Sequence, residues 1–369
     1  MNTWQSVKVA ELGRVVTGKT PKTAIAENYG GDVPFLTPSD DMSVKYVSKT
    51  AKTLTEKGLS EVKNTLLPPD AVCVSCIGSD LGKVVITTIN TVTNQQINSI
   101  IVDKERFDVS FVYYAMLILG KELNFISKTS TAVPIVNKSS FSSYEIQCPS
   151  LEQQKRISAI LSALDSKIEC NQKINDNLQQ QAQAIYASMF IDNADPAWVQ
   201  GHLSDLITVK YGKDHKKLAD GSYPVYGSGG IMRYVERPLY DKESVLIPRK
   251  GTLNNVMYVN QPFWSVDTMF YTEMRLPNVA KFVYHFVKAK DLASMNAGSA
   301  VPSMTTDILN AMEVAIPSAS ALEEFEALVS PIYKAMQEND NQSKTLAKLR
   351  DALLPKLMSG EIDVSGIQL

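Results

Sequence analysis

The sequence is poor in several features that point to particular classes of protein. It has four cysteines in 369 residues, too few for a disulfide framework, and this agrees with a reducing compartment. Its longest apolar run, Phe111 to Leu119, is far shorter than the roughly 18 residues that a membrane span needs, and the N-terminus has no apolar signal core. We therefore predict a globular, cytoplasmic protein with no membrane partner.

The sequence also lacks an excess of either charge. Lys and Arg number 37 against 39 Asp and Glu, and no region of the chain has a marked excess of basic residues. If nucleic acid is the ligand, the basic residues must be arranged locally, or a partner must supply much of the phosphate neutralisation.

Motifs for catalysis and for cofactor binding are missing or weak. With three histidines and no G-x-S-x-G elbow, hydrolase chemistry has little support. Cys73 and Cys76 form a C-x-x-C in a strand-like run without a second pair, which favours core packing over a zinc site. The glycine-rich YGSGG loop from Tyr226 runs into a strand-like segment, whereas a nucleotide loop opens a helix. We predict no cofactor and no metal.

What the sequence does contain is an internal repeat. TAVP at 131–134 recurs as SAVP at 299–302, a shift of 168 residues. The same shift relates IQCPS at 146–150 to VAIPS at 314–318, and both pentapeptides lead into a long helical pattern. The repeat predicts a duplicated fold with pseudo-two-fold symmetry.

Both helical patterns carry heptads. In the first, the a and d positions alternate by four and three residues from Ile157 to Met189, and in the second from Phe325 to Leu357. Because the shift of 168 residues is a multiple of seven, the a and d positions of the second pattern correspond to those of the first, and we call each series of a and d positions a ladder.

Polar residues interrupt both ladders near their midpoints. They are Asn171 and Asn175 in the first helix, and Asn339 and Ser343 in the second. In an antiparallel pair the midpoints meet, so these side chains can satisfy one another. We predict a long antiparallel two-helix coiled coil, with two independent amphipathic helices on separate cores as the alternative.

The remaining sequence predicts two modules of mixed α/β structure. Short β-rich runs alternate with turns of Gly, Pro and Asp, and a helical run ends each module. LGRVVTGK in the first resembles LITVKYGK in the second, with a different shift because loops vary in length. The fold class is thus α+β. The four parts are a first module, a central spacer helix, a second module, and a C-terminal spacer helix with a tail: 1–150, 151–190, 191–317 and 318–369.

Loops in both modules carry side chains suited to nucleic acid. Lys and Arg suit phosphates and guanine edges, and Asn and Gln suit adenine. Each cluster alone is equally consistent with a solvated turn, but recurrence in both modules favours a shared surface. The candidates in the first module are Lys19, Thr20, Lys22, Ser39, Ser79, Lys83, Asn94, Gln95 and Gln96. Those in the second are Lys213, Lys216, Lys217, Tyr226, Ser228, Arg233, Arg249, Lys250, Thr252 and Asn254.

The helical segments resemble a known family, the specificity subunits of type I restriction-modification systems. The repeated helical regions of that family are similar to PSLEQQKRISAILSALDSKIECNQKINDNLQQQAQAIYASMF, from Pro149, and to NDNQSKTLAKLRDALLPKLMSGEI, from Asn339. GKTPK and TNQQIN resemble stretches common in the first recognition domain of the family. The resemblance covers the whole chain, as two target-recognition domains that alternate with two spacer helices.

The resemblance implies that the chain is not itself a catalyst. Such subunits read a bipartite sequence in double-stranded DNA and recruit two modification subunits, which methylate adenine, and restriction subunits, which cleave. The chain agrees in having no N-P-P-[FY] methyltransferase tetrapeptide and no Walker loop. Two other hypotheses remain open: an enzyme with unrecognised motifs, and a coiled-coil scaffold with protein-binding end domains.

Overall fold

The computed structural model places most of the chain in strands and helices. The residues that it describes are 4–78, 81–129, 135–295 and 303–367. The repeated tetrapeptides at 131–134 and 299–302 lie outside these residues. The chain divides into unit 1, Met1–Cys170 with Gln342–Leu369, and unit 2, Asn171–Asn341.

Unit 1 contains a module of mixed α/β structure. Its strands are β1 (Gln5–Lys8), β2 (Gly13–Thr17), β3 (Tyr29–Leu36), β4 (Tyr46–Val47), β5 (Thr53–Leu54), β6 (Ala71–Ser75), β7 (Val84–Thr87), β8 (Val92–Thr93), β9 (Ile97–Val102) and β10 (Glu145–Cys148). Its helices are α1 (Glu56–Val62), α2 (Val109–Thr129) and α3 (Lys138–Ser143). The strands form a sheet in the order β2-β9-β6-β7-β4, a second sheet β5-β3-β8, and the antiparallel pair β1-β10.

Strand β6 lies in the middle of the larger sheet and is buried on both faces. Val72 and Val74 join the core cluster that contains α2, whereas Ala71 and Cys73 join a second cluster. Since successive side chains of a strand point to opposite faces, this two-sided burial explains the continuous apolar run in the sequence. Burial raises the pKa of Cys73 to about 12, and Cys76 belongs to the other cluster, so the two thiols of the C-x-x-C pack in different cores.

Unit 2 contains a second module of mixed α/β structure. Its strands are β11 (Val199–His202), β12 (Ile207–Tyr211), β13 (Asp220–Gly227), β14 (Gly230–Val235), β15 (Ser244–Pro248), β16 (Met257–Val259), β17 (Trp264–Ser265), β18 (Met269–Met274) and β19 (Glu313–Ile316). Its short helices are α5 (Leu203–Leu206), α6 (Ala280–Lys288) and α7 (Thr306–Asn310). The sheets have the orders β12-β18-β15-β16 and β14-β13-β17, and β11 pairs with β19.

The two modules share one strand topology. The order β2-β9-β6-β7 in unit 1 corresponds to β12-β18-β15-β16 in unit 2. Each smaller sheet contains one parallel pair, β3 with β8 and β13 with β17, and each module is closed by an antiparallel pair of its first and last strands. The prediction of two mixed α/β modules is therefore confirmed.

Two long helices, α4 (Leu151–Ala187) and α8 (Ala319–Met358), cover the two heptad segments except for Met189, which lies in the π-helical turn Ser188–Asp192. Every predicted a and d position, from 157 to 189 and from 325 to 357, is buried or half-buried. Gly360 follows α8 with a left-handed φ of 77°, a common end for a helix because glycine has no Cβ. No helix among the described residues is long and apolar enough to cross a membrane.

In unit 1, the segments of α4 and α8 run in opposite directions. Asp165 of α4 forms an ion pair with Arg350 of α8, at 2.9 Å between Oδ1 and Nη1. One to two turns earlier in α4, Ile157 and Leu161 join the same core cluster as Leu357 of α8. Lower numbers in α4 thus meet higher numbers in α8, as in an antiparallel pair.

In unit 2, polar side chains connect α4 and α8, which again run in opposite directions. The Nδ2 of Asn171 donates to the carbonyl oxygen of Asn339 at 3.3 Å, and the Nδ2 of Asn175 donates to that of Met336 at 3.1 Å. The Nδ2 of Asn339 in turn donates to Oδ1 of Asn175 at 2.8 Å. Ser343, one turn further along α8, belongs to unit 1 and is half-buried.

Candidate nucleic-acid interface

Backbone hydrogen bonds of unit 1 gather several predicted loops at one turn, Thr93–Ile97, which we call hub turn 1. The N–H of Lys19 donates to the carbonyl oxygen of Thr93 at 2.9 Å, and that of Gly18 donates to Ile97 at 3.1 Å. The N–H of Cys76 donates to the carbonyl oxygen of Gln96 at 2.7 Å. The GKTPK loop and the loop that follows β6 therefore meet at hub turn 1.

Unit 2 repeats this arrangement at Ser265–Met269, which we call hub turn 2. The N–H of Lys213 donates to the carbonyl oxygen of Ser265 at 2.8 Å, and that of Gly212 donates to Met269 at 3.0 Å. The N–H of Arg249 donates to the carbonyl oxygen of Thr268 at 2.8 Å. Each of these bonds has its counterpart at hub turn 1, so the two turns share a backbone framework.

Close packing explains the glycine in each of the similar segments LGRVVTGK and LITVKYGK. A Cβ on Gly18 would lie 2.2 Å from the carbonyl oxygen of Asn94 and 2.3 Å from Oγ1 of Thr93. A Cβ on Gly212 would lie 2.0 Å from the carbonyl oxygen of Val266. Because these neighbours are mostly backbone atoms, only glycine lets the next residue, a lysine in both copies, reach its hub turn.

Replacing Gly212 by alanine is expected to destabilise unit 2 by about 1–3 kcal/mol or more, the usual cost of forcing an extra methyl into a packed site. Equilibrium urea unfolding of the full chain measures the loss. The matched control is Gly229→Ala, because a Cβ at Gly229 meets nothing within 4 Å. Equal stability of the two variants would contradict the role given to Gly212.

The side chains at hub turn 1 are mainly amides. Gln95 is exposed, and its Oε1 accepts a hydrogen bond from the hydroxyl of Thr20 at 2.6 Å. Asn94 is buried, and its Nδ2 donates to Oε1 of Gln96 at 2.8 Å. Lys19 is exposed beside them. These contacts orient two glutamines at the surface, and a glutamine can bond both N6 and N7 of adenine.

Charged side chains surround hub turn 2 instead. Asp267 and Thr268 occupy the places that Gln95 and Gln96 hold in hub turn 1. The guanidinium of Arg249 lies 5.3 Å from the ring centre of Tyr211, and its Nη1 donates to the carbonyl oxygen of Asp267 at 3.5 Å. This turn thus presents a carboxylate beside an arginine that is held against an aromatic ring.

The sequence analysis missed Asp267, Thr268 and Tyr211. In the structure hub turn 2 follows hub turn 1 by 172 residues, four more than the shift found from the tetrapeptides. TNQQ and SVDT also share no identical residue at matching positions. The two turns are equivalent in the spacing of their backbone hydrogen bonds, which the amino-acid sequence does not show.

Other candidates of unit 1 lie farther from hub turn 1 or outside the described residues. The N–H of Lys22 donates to Glu61 at 3.0 Å, while its side chain is exposed. Ser39 is exposed in the loop after β3. Lys83 is near Asp41, whose pKa is lowered by hydrogen bonds from Ser43 and, to a lesser extent, by the charge of that lysine. Ser79 lies outside the described residues.

Several candidates of unit 2 come together at hub turn 2. The carbonyl oxygen of Tyr226 accepts from the N–H of Val266 at 3.1 Å, and the N–H of Lys250 donates to Thr268 at 3.2 Å. Ser228 packs against Gly251, next to that lysine. The side chains of Lys213, Lys216, Lys217, Lys250 and Thr252 are exposed.

Two candidates of unit 2 are held by partners within the module. The Nη2 of Arg233 donates to Asp220 at 2.7 Å and to the carbonyl oxygen of Leu218 at 3.1 Å. The Nδ2 of Asn254 donates to Asp291 at 3.0 Å, and its Oδ1 accepts from the N–H of Ala293. These bonds use the groups that the sequence analysis assigned to DNA.

Comparisons with known proteins agree with the duplicated architecture. A family model described as "Type I restriction modification DNA specificity domain" matches the chain twice, over residues 1–180 and 197–349. The chain is 26% identical to the type I restriction enzyme MjaIX specificity subunit of Methanocaldococcus jannaschii, over 98% of this chain and 94% of that protein. It is 34% identical to the HindI specificity subunit of Haemophilus influenzae, over 45% of this chain and 37% of that protein.

A solved structure shares the fold. It is the S subunit of a type I restriction-modification system from M. genitalium, with a TM-score of 0.58 and 18% sequence identity. The match covers 99% of this chain and 97% of that one.

Proposed function

The chain belongs to the type I restriction-modification specificity subunits, and we propose that it reads a two-part DNA target with one module for each half. The target-recognition domains are residues 1–150 and 191–317. The observation that carries the proposal is the pair of hub turns, which share a backbone framework but present different side chains. Two readers of this kind suit a target whose halves differ in sequence.

Hub turn 1 is suited to adenine-containing sequence. Gln95 and Gln96 are the reading side chains, because an amide can donate to N7 and accept from N6 of adenine in the major groove. Thr20 restrains the first of them by its hydrogen bond, which reduces the entropy lost on binding. Lys19 and Lys22 are exposed cations that suit the flanking phosphates.

Hub turn 2 is suited to a G·C pair. Arg249 can bond O6 and N7 of guanine, and the carboxylate of Asp267 can accept from the amino group of cytosine. The ring of Tyr211 restrains the arginine. The exposed Lys213 and Lys250, on either side, suit phosphates.

The helical parts 151–190 and 318–369 form the spacer in this proposal. We infer that they pair as one antiparallel coiled coil, which the opposite directions of α4 and α8 in each unit support. The polar layer that fixes its register consists of Asn171, Asn175, Asn339 and Ser343.

The chain is not a catalyst in this proposal and needs no cofactor. Its partners are double-stranded DNA, two modification subunits that methylate adenine, and restriction subunits that cleave DNA. The exposed faces of the spacer helices seat the modification subunits. The balance of 37 basic and 39 acidic residues supports a shared interface, because partners must then neutralise many of the phosphates.

Methylome sequencing of a host that expresses this chain with its modification subunit tests the proposal. The expected result is methylated adenine in a motif of two defined halves, separated by a fixed number of unspecified bases. A complex that forms but methylates no such motif would contradict the proposal.

Replacing Gln95 and Gln96 together by alanine is expected to relax the base preference in one half of the motif only. Each lost bidentate contact removes about 1–3 kcal/mol of discrimination against the wrong base. The matched variant Asp267→Ala with Thr268→Ala should relax the other half. Methylation of a library with every base at each position measures both, and a change in both halves from either variant would show that the hub turns are not independent readers.

A further inference from the structure

In both units a helix of the module, α2 in unit 1 and α6 in unit 2, meets a spacer helix through an equivalent pair of polar side chains. FVYYAM in α2 matches FVYHFV in α6, which places Tyr114 and His285 at the same position. The hydroxyl of Tyr114 donates to Oδ2 of Asp165 at 2.5 Å, and Nε2 of His285 accepts from the hydroxyl of Tyr333 at 2.9 Å. Asp165 and Tyr333 are 168 residues apart and hold the same heptad position, so the contact is repeated with different chemistry.

A lysine lies beside each of these contacts, half-buried in unit 1 and buried in unit 2. In unit 1, Nζ of Lys45 donates to the hydroxyl of Ser162 at 2.8 Å. In unit 2, Nζ of Lys281 donates to Glu326 at 2.6 Å and to Glu243 at 3.1 Å. The first lysine precedes β4 and the second belongs to α6, so two unrelated positions of the sequence bring a cation to neighbouring turns of equivalent helices, since Glu326 corresponds to residue 158, one turn before Ser162.

Each contact also reaches the other spacer helix. In unit 1, Asp165 accepts from Arg350 of α8 as well as from Tyr114 of α2. In unit 2, burial lowers the pKa of His285 to about 4, so its ring is neutral near pH 7. Because Oε1 of Gln183 in α4 can only accept, Nδ1 of His285 carries the proton and donates to it at 2.8 Å, and Nε2 is left to accept from Tyr333 of α8.

We call these groups joint 1 and joint 2. Joint 1 consists of Lys45, Tyr114, Ser162, Asp165 and Arg350. Joint 2 consists of Gln183, Glu243, Lys281, His285, Glu326 and Tyr333. Buried polar groups that lose a partner are costly, so such a network permits one orientation, whereas apolar contacts alone tolerate small rotations and slides.

We propose that joints 1 and 2 fix the angle of each recognition module on its spacer helices, and thereby set how strictly the complex selects one spacer length in the DNA. The proposal rests on the proposed function. One base pair changes the separation of two half-sites by ~3.4 Å and their relative rotation by about a tenth of a turn. A module that can tilt will accept such a change, and a module held at one angle will reject it.

The double variant Tyr114→Phe with Tyr333→Phe tests the proposal, because it removes one hydroxyl from each joint and keeps both rings. Methylation by the complete complex is measured on DNA that has fixed half-sites and every spacer length. We expect the half-site sequences to stay the same, while the preference for the best spacer over its neighbours falls about tenfold, which corresponds to about 1.4 kcal/mol. The control is Tyr271→Phe, a buried tyrosine in a separate apolar cluster of unit 2.

Thermal melting establishes that each variant is folded, and the single variants are measured if the double variant is not. A folded variant with an unchanged spacer profile overturns the role of the joints while leaving bipartite reading intact. A wild-type complex with no bipartite motif overturns the proposed function itself, so the two failures are distinguishable.

Discussion

Adding the modification subunit is expected to raise the affinity of this chain for its target DNA by at least about a hundredfold at ~0.15 M salt. The chain alone has 37 basic against 39 acidic residues, and phosphate contacts supply much of the affinity of proteins for DNA. Exposed lysines at the hub turns give each module a few such contacts. The remaining contacts must come from the partner.

The salt dependence of binding separates the two contributions. The logarithm of the affinity falls with the logarithm of the salt concentration, with a slope of about 0.9 for each neutralised phosphate. We therefore expect a shallow slope for the chain alone and a much steeper one for the complex. Titrations of fluorescent target DNA at several salt concentrations give both values.

A lysine variant calibrates that measurement. Lys250→Gln should reduce the slope of the complex by about one if this residue meets a phosphate. Lys104→Gln is the control, because that lysine follows the end of β9 opposite to hub turn 1 and pairs with Asp70 at 2.7 Å. Tight, sequence-specific binding by the chain alone at ~0.15 M salt would contradict the proposal that the modification subunit supplies most of the phosphate contacts.

The architecture was predictable from the sequence because its signals are local and periodic. The heptads from Ile157 to Met189 and from Phe325 to Leu357 mark the inward faces of α4 and α8, and each requires only neighbouring residues to be recognised. The apolar run at Ala71–Ser75 likewise identifies a buried strand. Repeated peptides then suggested that the second half copies the first.

The details of the candidate interface were less predictable because they depend on distant partners. Arg233 looked available for DNA, yet its carboxylate partner Asp220 lies 13 residues away across a hairpin. Asn254 is held by Asp291, 37 residues away. Conversely, the position of Asp267 at the reading surface is evident only from the backbone hydrogen bonds that hub turn 2 has in common with hub turn 1.

The joints illustrate the same limit. The match of FVYYAM with FVYHFV shows that Tyr114 and His285 are equivalent, but the sequence does not show that each of them contacts a spacer helix. Lys45 and Lys281 are unrelated in sequence, because Lys45 lies in a loop and Lys281 lies in a helix. Contacts between residues that are distant in the sequence produce no periodic pattern, so the sequence alone does not predict them.

Removing one heptad from each spacer helix is expected to shorten the preferred DNA spacer by about three base pairs. The contacts of Asn171 with Asn339 and of Asn175 with Met336 show which residues face one another in unit 2. Opposed heptads are therefore Glu169–Asn175 and Met336–Gln342. Their deletion keeps the a and d positions in phase and brings Leu178 opposite Ile332, while Ser343 stays in the seam.

The size of the effect follows from helix geometry. Seven residues at ~1.5 Å shorten each helix by ~10 Å, which is about three base pairs at ~3.4 Å each. Three base pairs also rotate one half-site against the other by nearly a third of a turn. We therefore expect the affinity for the best site to fall as well, while the half-site sequences stay unchanged because both hub turns are intact.

Methylation across fixed half-sites with every spacer length measures the shift. A variant of equal length, Glu169→Ala with Lys173→Ala, changes two exposed positions of the same heptad and should keep the original optimum. A one-heptad insertion in both helices should move the optimum in the opposite direction by the same amount. If the deletion variant folds, binds the modification subunit and still prefers the original spacer, then the separation of the readers is set by something other than α4 and α8.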